Sequence, residues 1–210
     1  MTRRKRLPAE ERRRAILKAA LRVFSSSSYA GATTAEIARE AGVSEPVLYR
    51  HFASKRDLWT ACLDAAWEEL RGALDAAVEE MLEVPREELL ARLPEERAAS
   101  VPPSAARWKK ALLPNLWMQG VTEANEDRVI RKHVARHMRV VHDHVAARLR
   151  DGQAAGVVPA DRDPDAEAWV MIAGGLLRAV ASRLGELLDE DDLAAIQRER
   201  VRWLVGEPST

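Results

Sequence analysis

The sequence predicts an all-α fold, with a small N-terminal helix-turn-helix domain of three helices over residues 1–53 and a longer helical domain over residues 54–210. Three observations predict it. Apolar residues recur at helical spacing almost from end to end, while strand-like alternation is nearly absent. Two short helical stretches are joined by the glycine-containing turn Ala41-Gly42-Val43-Ser44, the pattern of a helix-turn-helix. The charge sums to zero but is uneven: residues 1–60 hold 13 Lys+Arg against 6 Asp+Glu, and the other 150 hold 20 against 27. A basic segment joined to an acidic one suggests that the first part faces nucleic acid.

The elements follow in order. A first helix runs from about Pro8 to Ser26, with Pro8 in its first turn and an apolar stripe of Ile16, Leu17, Ala20, Leu21 and Phe24. The serine run Ser25 to Ser28 weakens it and Gly31 ends the turn. A short helix spans Thr34 to Ala41, with Thr33 and Glu36 at capping-box spacing and Gly42 as its stop. Ser44 caps a third helix reaching Phe52, with Pro46 in its first turn. Ser54 and Asp57 form a similar cap for a long helix to about Glu83. Beyond Pro85 the helical stretches are about 86–93, 105–123, 125–152, 164–188 and 190–205. The proline-containing run Pro94 to Ser104 reads as a loop or broken helix, and Gly152 to Pro164 as a second connection.

Several function classes are disfavoured. The single cysteine, Cys62, excludes a disulfide framework and a cysteine-based zinc site. The basic start has no apolar run behind it, so no signal peptide is expected. No stretch of about 18 uncharged apolar residues predicts a membrane span. The expectation is a soluble, cytoplasmic protein that touches no membrane. No Ser-His-Asp set, phosphate-binding glycine loop or GxGxxG marks an enzyme, and no catalytic residue or cofactor is expected. His133, His137 and His144 recur at i, i+4 and i+11, but arginines crowd them, so a solvated or dimer-rim face is favoured over metal.

The third helix carries the chemistry. With Leu48 toward the core, Phe52 falls about 40° away at 100° per residue, while Pro46 and Arg50 fall on the opposite face. A helix in the major groove reads bases with its first residues. Pro46 and Val47 can meet thymine methyls, and Arg50 guanine or a phosphate. Tyr49 and His51 offer hydrogen bonds to phosphates. Glu45 can accept from cytosine N4 or serve the helix dipole. Thr33, Thr34, Ser44 and Lys55 sit at helix starts, where capping is the first role and phosphate contact an added one. The tail Arg3, Arg4, Lys5 and Arg6 is either a solvated extension or a source of phosphate attraction.

Phe24, Tyr29, Gly31, Thr33, Thr34, Ile37, Ala38, Ala41-Gly42-Val43-Ser44, Leu48-Tyr49-Arg50-His51-Phe52 and Ser54-Lys55-Arg56-Asp57-Leu58 resemble the DNA-binding domain of TetR/AcrR transcriptional repressors over about residues 8–60. Glu45-Pro46 departs from the glycine common there, and Ala35 stands where some members read a base. Arg150 to Gly156 with Asp163-Pro164 resembles the connection before the last two helices of many members. The resemblance implies an N-terminal helix-turn-helix DNA-binding domain and a C-terminal ligand-binding and dimerisation domain. It also implies double-stranded operator DNA, a small-molecule effector and a second copy of the chain as partners.

In the acidic part, Trp67, Trp108, Trp117, Trp169 and four methionines read either as ordinary core or as the lining of a site for apolar ligands. Asn115 and Gln119, four apart on an apolar stretch, either orient a ligand or face water, and His137 is placed with them as a ligand residue. The stretch Ala166 to Val180 is apolar around nearly its whole circumference, as in a helix buried on two sides. Trp169, Ile172, Leu176 and Val180, with Ile196 and Trp203 of the last helix, are the expected dimer interface.

Overall fold

The computed structural model describes residues 8–84, 87–88, 112–185 and 187–206. Among them every regular element is an α-helix: α1 (Ala9–Ser26), α2 (Thr34–Glu40), α3 (Glu45–His51), α4 (Lys55–Leu82), α5 (Leu112–Glu123), α6 (Arg128–Ala154), α7 (Pro164–Leu184) and α8 (Glu190–Val205). The all-α expectation holds. The tail Arg3 to Arg6, Trp108 and the stretch Pro94 to Ser104 lie outside the described residues.

The chain divides into two compact units: Met1–Ala66 with Asn115–Ala135, and Trp67–Pro114 with Arg136–Thr210. In the first unit Ile16, Ala20 and Phe24 of α1 are wholly buried, as are Ile37, Leu48, Leu58 and Trp59. The helix boundaries follow from side-chain chemistry. Thr33 caps α2 by accepting from the Glu36 N–H at 3.1 Å. Gly42, at φ 68°, ends α2 in the left-handed conformation that glycine adopts without a steric penalty. Asp57 accepts from the Ala53 N–H while its own N–H donates to Ser54, so α4 opens on a reciprocal cap.

Two sequence expectations change in this unit. Ser44 is the N-cap residue of α3, but its side chain makes no capping bond. The serine run does more than weaken α1. Ser25, Ser26 and Ser27 donate their hydroxyls back to Arg22 and Val23 carbonyls in the last turn, where the Val23 carbonyl also takes the Ser27 N–H.

The segment 115–135 is the unexpected component of the first unit. The Gln119 amide donates to the Phe24 carbonyl at 2.6 Å and to that of Ser27 at 3.1 Å. Gly120 lets α5 approach closely, since a Cβ there would lie 2.5 Å from Val134 and 2.6 Å from Trp59. Asp127 caps α6 through the Val129 and Ile130 N–H groups and takes a 2.8 Å ion pair from Arg56.

In the second unit, Asp163 caps α7 through the Asp165 and Ala166 N–H groups, with Pro164 in the first turn. Asp189 and Asp192 form a reciprocal capping box at the start of α8. Trp203 donates to Glu167 at 3.0 Å, and the Arg162 guanidinium lies 4.0 Å over the Trp203 ring. Glu167 also pairs with Arg200. His142 stacks on Trp169 and meets the Asp165 carbonyl at 3.1 Å, tying α6 to α7.

Candidate nucleic-acid interface

The interface is built on α2 and α3, whose apolar residues fix their orientation. Leu48 and Phe52 are buried, which turns the opposite face of α3 outward. Pro46, Tyr49 and Arg50 are exposed, and Val47 and His51 are half-buried. This is the rotation that the helical wheel predicts from the sequence.

The polar residues are organised by internal contacts. The Thr34 hydroxyl, at the start of α2, donates to Glu45 Oε1 at 2.6 Å. It also lies 3.1 Å from the Tyr49 hydroxyl. Thr34 thus ties the two helices together, and the Tyr49 hydroxyl assigned to phosphates from the sequence is engaged here. Lys55 is also held locally: its ammonium donates to the Ala30 carbonyl at 3.3 Å and lies 4.6 Å from the Tyr29 ring centroid. Its partial burial lowers the Lys55 pKa from the ordinary lysine value. Thr33 is exposed but occupied as a cap. Ser44 is exposed with no capping bond, which leaves its hydroxyl available to a phosphate.

Behind this face stands a joint that the sequence reading missed. Tyr29 packs edge-on against Trp59 and is stacked with Phe24. Burial first, and the Asp127 charge second, raise the Tyr29 pKa. The hydrogen bond from Arg56 holds the Asp127 carboxyl below its ordinary value. The signals were ordinary charged residues at distant positions, which no local pattern could pair.

The residues proposed for a ligand divide between the units. Asn115, Trp117 and Gln119 belong to the first; Trp67, His137 and Trp169 belong to the second. Trp67, Trp117 and His137 are buried and Asn115 is half-buried, while Trp169 is exposed. The Gln119 amide nitrogen is committed to the end of α1, a structural tie beside the ligand role expected from the sequence. Of the solvated and dimer-rim faces expected for the histidines, the packing disfavours the first: His133 lies 3.6 Å from Asp64, His144 meets Asp75 at 2.7 Å and the Trp67 ring edge-on, and His137 is buried. Among the described residues no group of three or more metal-ligating side chains converges, and no helix is long and apolar enough to cross a membrane.

The predicted dimer residues differ in exposure. Ile172 is buried, Leu176 and Val180 are half-buried, and Trp169, Ile196 and Trp203 are exposed. Val170, Leu177 and Leu184 add to the exposed apolar surface of α7.

Residues 16–62 match the family model described as "Bacterial regulatory proteins, tetR family". The HTH-type transcriptional activator FasR of Mycolicibacterium smegmatis is 53% identical over 58 residues, 28% of this chain and 26% of FasR. The chain thus spans about a quarter of that curated relative's length. Among solved structures, the regulatory protein TetR from Rhodobacter sphaeroides superposes with a TM-score of 0.68 at 24% identity, over 91% of this chain and 98% of that one. A protein from Saccharomonospora viridis in complex with choline gives 0.57 at 25% identity, over 92% and 94%.

Proposed function

We propose that the chain, whose residues 16–62 match the tetR family model, is a homodimeric one-component transcriptional regulator with an N-terminal DNA-binding domain. Its domains are taken as 1–53 for DNA binding and 54–210 for ligand binding and dimerisation. The observation that carries this reading is the outward face of α3, where Pro46, Tyr49 and Arg50 are exposed above a buried Leu48. A buried anchor row beneath an exposed, polar and cationic row is what a helix needs to enter a major groove.

We take it to be a cytoplasmic repressor, with no enzymatic role, released from its operator by a small apolar or aromatic molecule. The effector residues are those expected from the sequence, Trp67, Trp108, Asn115, Trp117, Gln119, His137 and Trp169, chosen for residue type. The effector acts only if it prefers the non-binding state, because equal affinity for both states shifts nothing. Dimerisation is assigned to Trp169, Ile172, Leu176, Val180, Ile196 and Trp203. The exposed apolar residues of α7 and α8 support that assignment, because scattered apolar groups are ordinary on a surface but rows along two helices are not.

Binding of the full chain to duplex DNA, measured against salt, tests the reading. A steep linear loss of log affinity with log salt is expected, with an operator held well above random duplex. Addition of an effector should release the operator and quench tryptophan fluorescence, with the same coupling measured from either ligand. Operator binding that no small molecule changes would favour a non-inducible dimer. No DNA binding at any salt would refute the regulator.

A further inference from the structure

The contacts of Thr34 determine what α3 offers to a base. A hydroxyl has one proton to give and two lone pairs to receive. Thr34 donates to Glu45 Oε1 at 2.6 Å, and an ionised carboxylate can only accept. The Thr34 proton is therefore used. The 3.1 Å contact between Thr34 and Tyr49 must then carry the Tyr49 proton toward Thr34. Both hydroxyl protons of the cluster point inward along this chain. What remains for a partner molecule is a set of acceptors: the second carboxylate oxygen of Glu45 and the lone pairs of Tyr49.

An acceptor-only cluster selects its partner. Phosphates repel a carboxylate. In the major groove guanine offers N7 and O6 and thymine offers O4, all acceptors, so each leaves Glu45 facing another lone pair. Adenine has a donor at N6 but an acceptor beside it at N7. Cytosine presents its N4 amino group with an acceptor on one flank only, the O6 of the paired guanine, whereas adenine N6 is flanked by its own N7 and by the paired thymine O4. We propose that Glu45, held by Thr34 and completed by Tyr49, is a specificity-determining residue that requires cytosine at one position of each operator half-site. The proposal rests on the regulator reading above and adds the base that the site demands. It resolves the two roles open to Glu45 in favour of base reading, since the hydrogen bond from Thr34 fixes the side chain across α2 and α3.

The test is selection of duplexes from a random pool by the full chain, the Glu45→Gln variant and the Thr34→Val variant. The natural chain should enrich a two-fold motif with a cytosine in each half. Glu45→Gln places a donor beside the acceptor, a pair suited to adenine. It should lose about ten-fold or more of the cytosine preference and gain adenine at that position, leaving the remaining motif in place. Thr34→Val keeps the shape and removes the hydroxyl, and it should weaken the same preference while the variant still shows a cooperative melting transition, lowered by no more than the loss of a hydrogen bond or two. A motif without that cytosine, or one weighted identically by all three proteins, overturns the proposal. A natural chain that enriches no sequence refutes the sequence-reading regulator, and the proposal falls with it; that outcome is separate from an enriched motif lacking the cytosine.

Discussion

Neighbouring residues of α3 have opposite duties. Leu48 is buried without remainder, whereas Arg50, two positions on, is exposed. Truncating each should therefore act on a different quantity. Leu48→Ala removes packed methyl groups from the core and should cost about 2–5 kcal/mol of stability, read as a lower melting temperature. Arg50→Ala should leave melting nearly unchanged and cost about 1–3 kcal/mol of operator affinity if it meets a base. Anisotropy titrations on a labelled operator beside thermal melts separate the two. A melting loss in Arg50→Ala as large as that in Leu48→Ala would mean that Arg50 supports the fold. Lys55 shows why residue type alone is an incomplete guide. A lysine beside a helix start suggests phosphate binding, but here its ammonium is drawn onto Tyr29 and the Ala30 carbonyl.

At the scale of elements, what could be read in the sequence was local. Helices α1 to α3 are marked by prolines at the starts of α1 and α3, the Thr33 cap and positive-φ Gly42 around α2, and buried apolar residues, all local signals. Their order and the outward face of α3 followed from those signals. The addition of 115–135 to the first unit did not. Gln119 and Phe24 are 95 residues apart, and nothing in either neighbourhood marks the pair. A polar residue on an apolar helix suggested a ligand; the same residue satisfies carbonyls at the end of α1. Two variants test this packing. Gly120→Ala would force a Cβ against Trp59 and Val134 and should destabilise by about 1–3 kcal/mol through overpacking. Gln119→Leu should cost a similar amount by stranding buried acceptors. Equilibrium urea unfolding reads both. A natural midpoint in each variant would show that α5 does not stabilise this unit.

At the scale of the whole molecule, a single copy of α3 is not enough for the proposed role, because two recognition helices must meet successive major grooves about 34–36 Å apart. The spacing must come from a symmetric pairing of two chains. The proposed interface is on α7 and α8, where Trp169, Leu177 and Leu184 are exposed along α7 and Ile196 and Trp203 along α8. Trp203 and Trp169 also pack within their own chain, against Arg162 and His142, so their loss would confuse folding with assembly. Leu177 and Ile196 are better probes, since both side chains are exposed on the single chain. Leu177→Arg combined with Ile196→Glu should change the stability of the isolated chain by no more than about 0.5 kcal/mol per site. In a dimer built on these helices the same charges would be buried without partners, which is strongly unfavourable. Sedimentation should then show a species of half the natural mass. Operator binding should become weak and strongly dependent on protein concentration, while the salt-dependent attraction to random duplex persists. A double variant that remains a dimer with full operator affinity would place the interface on another face of the chain.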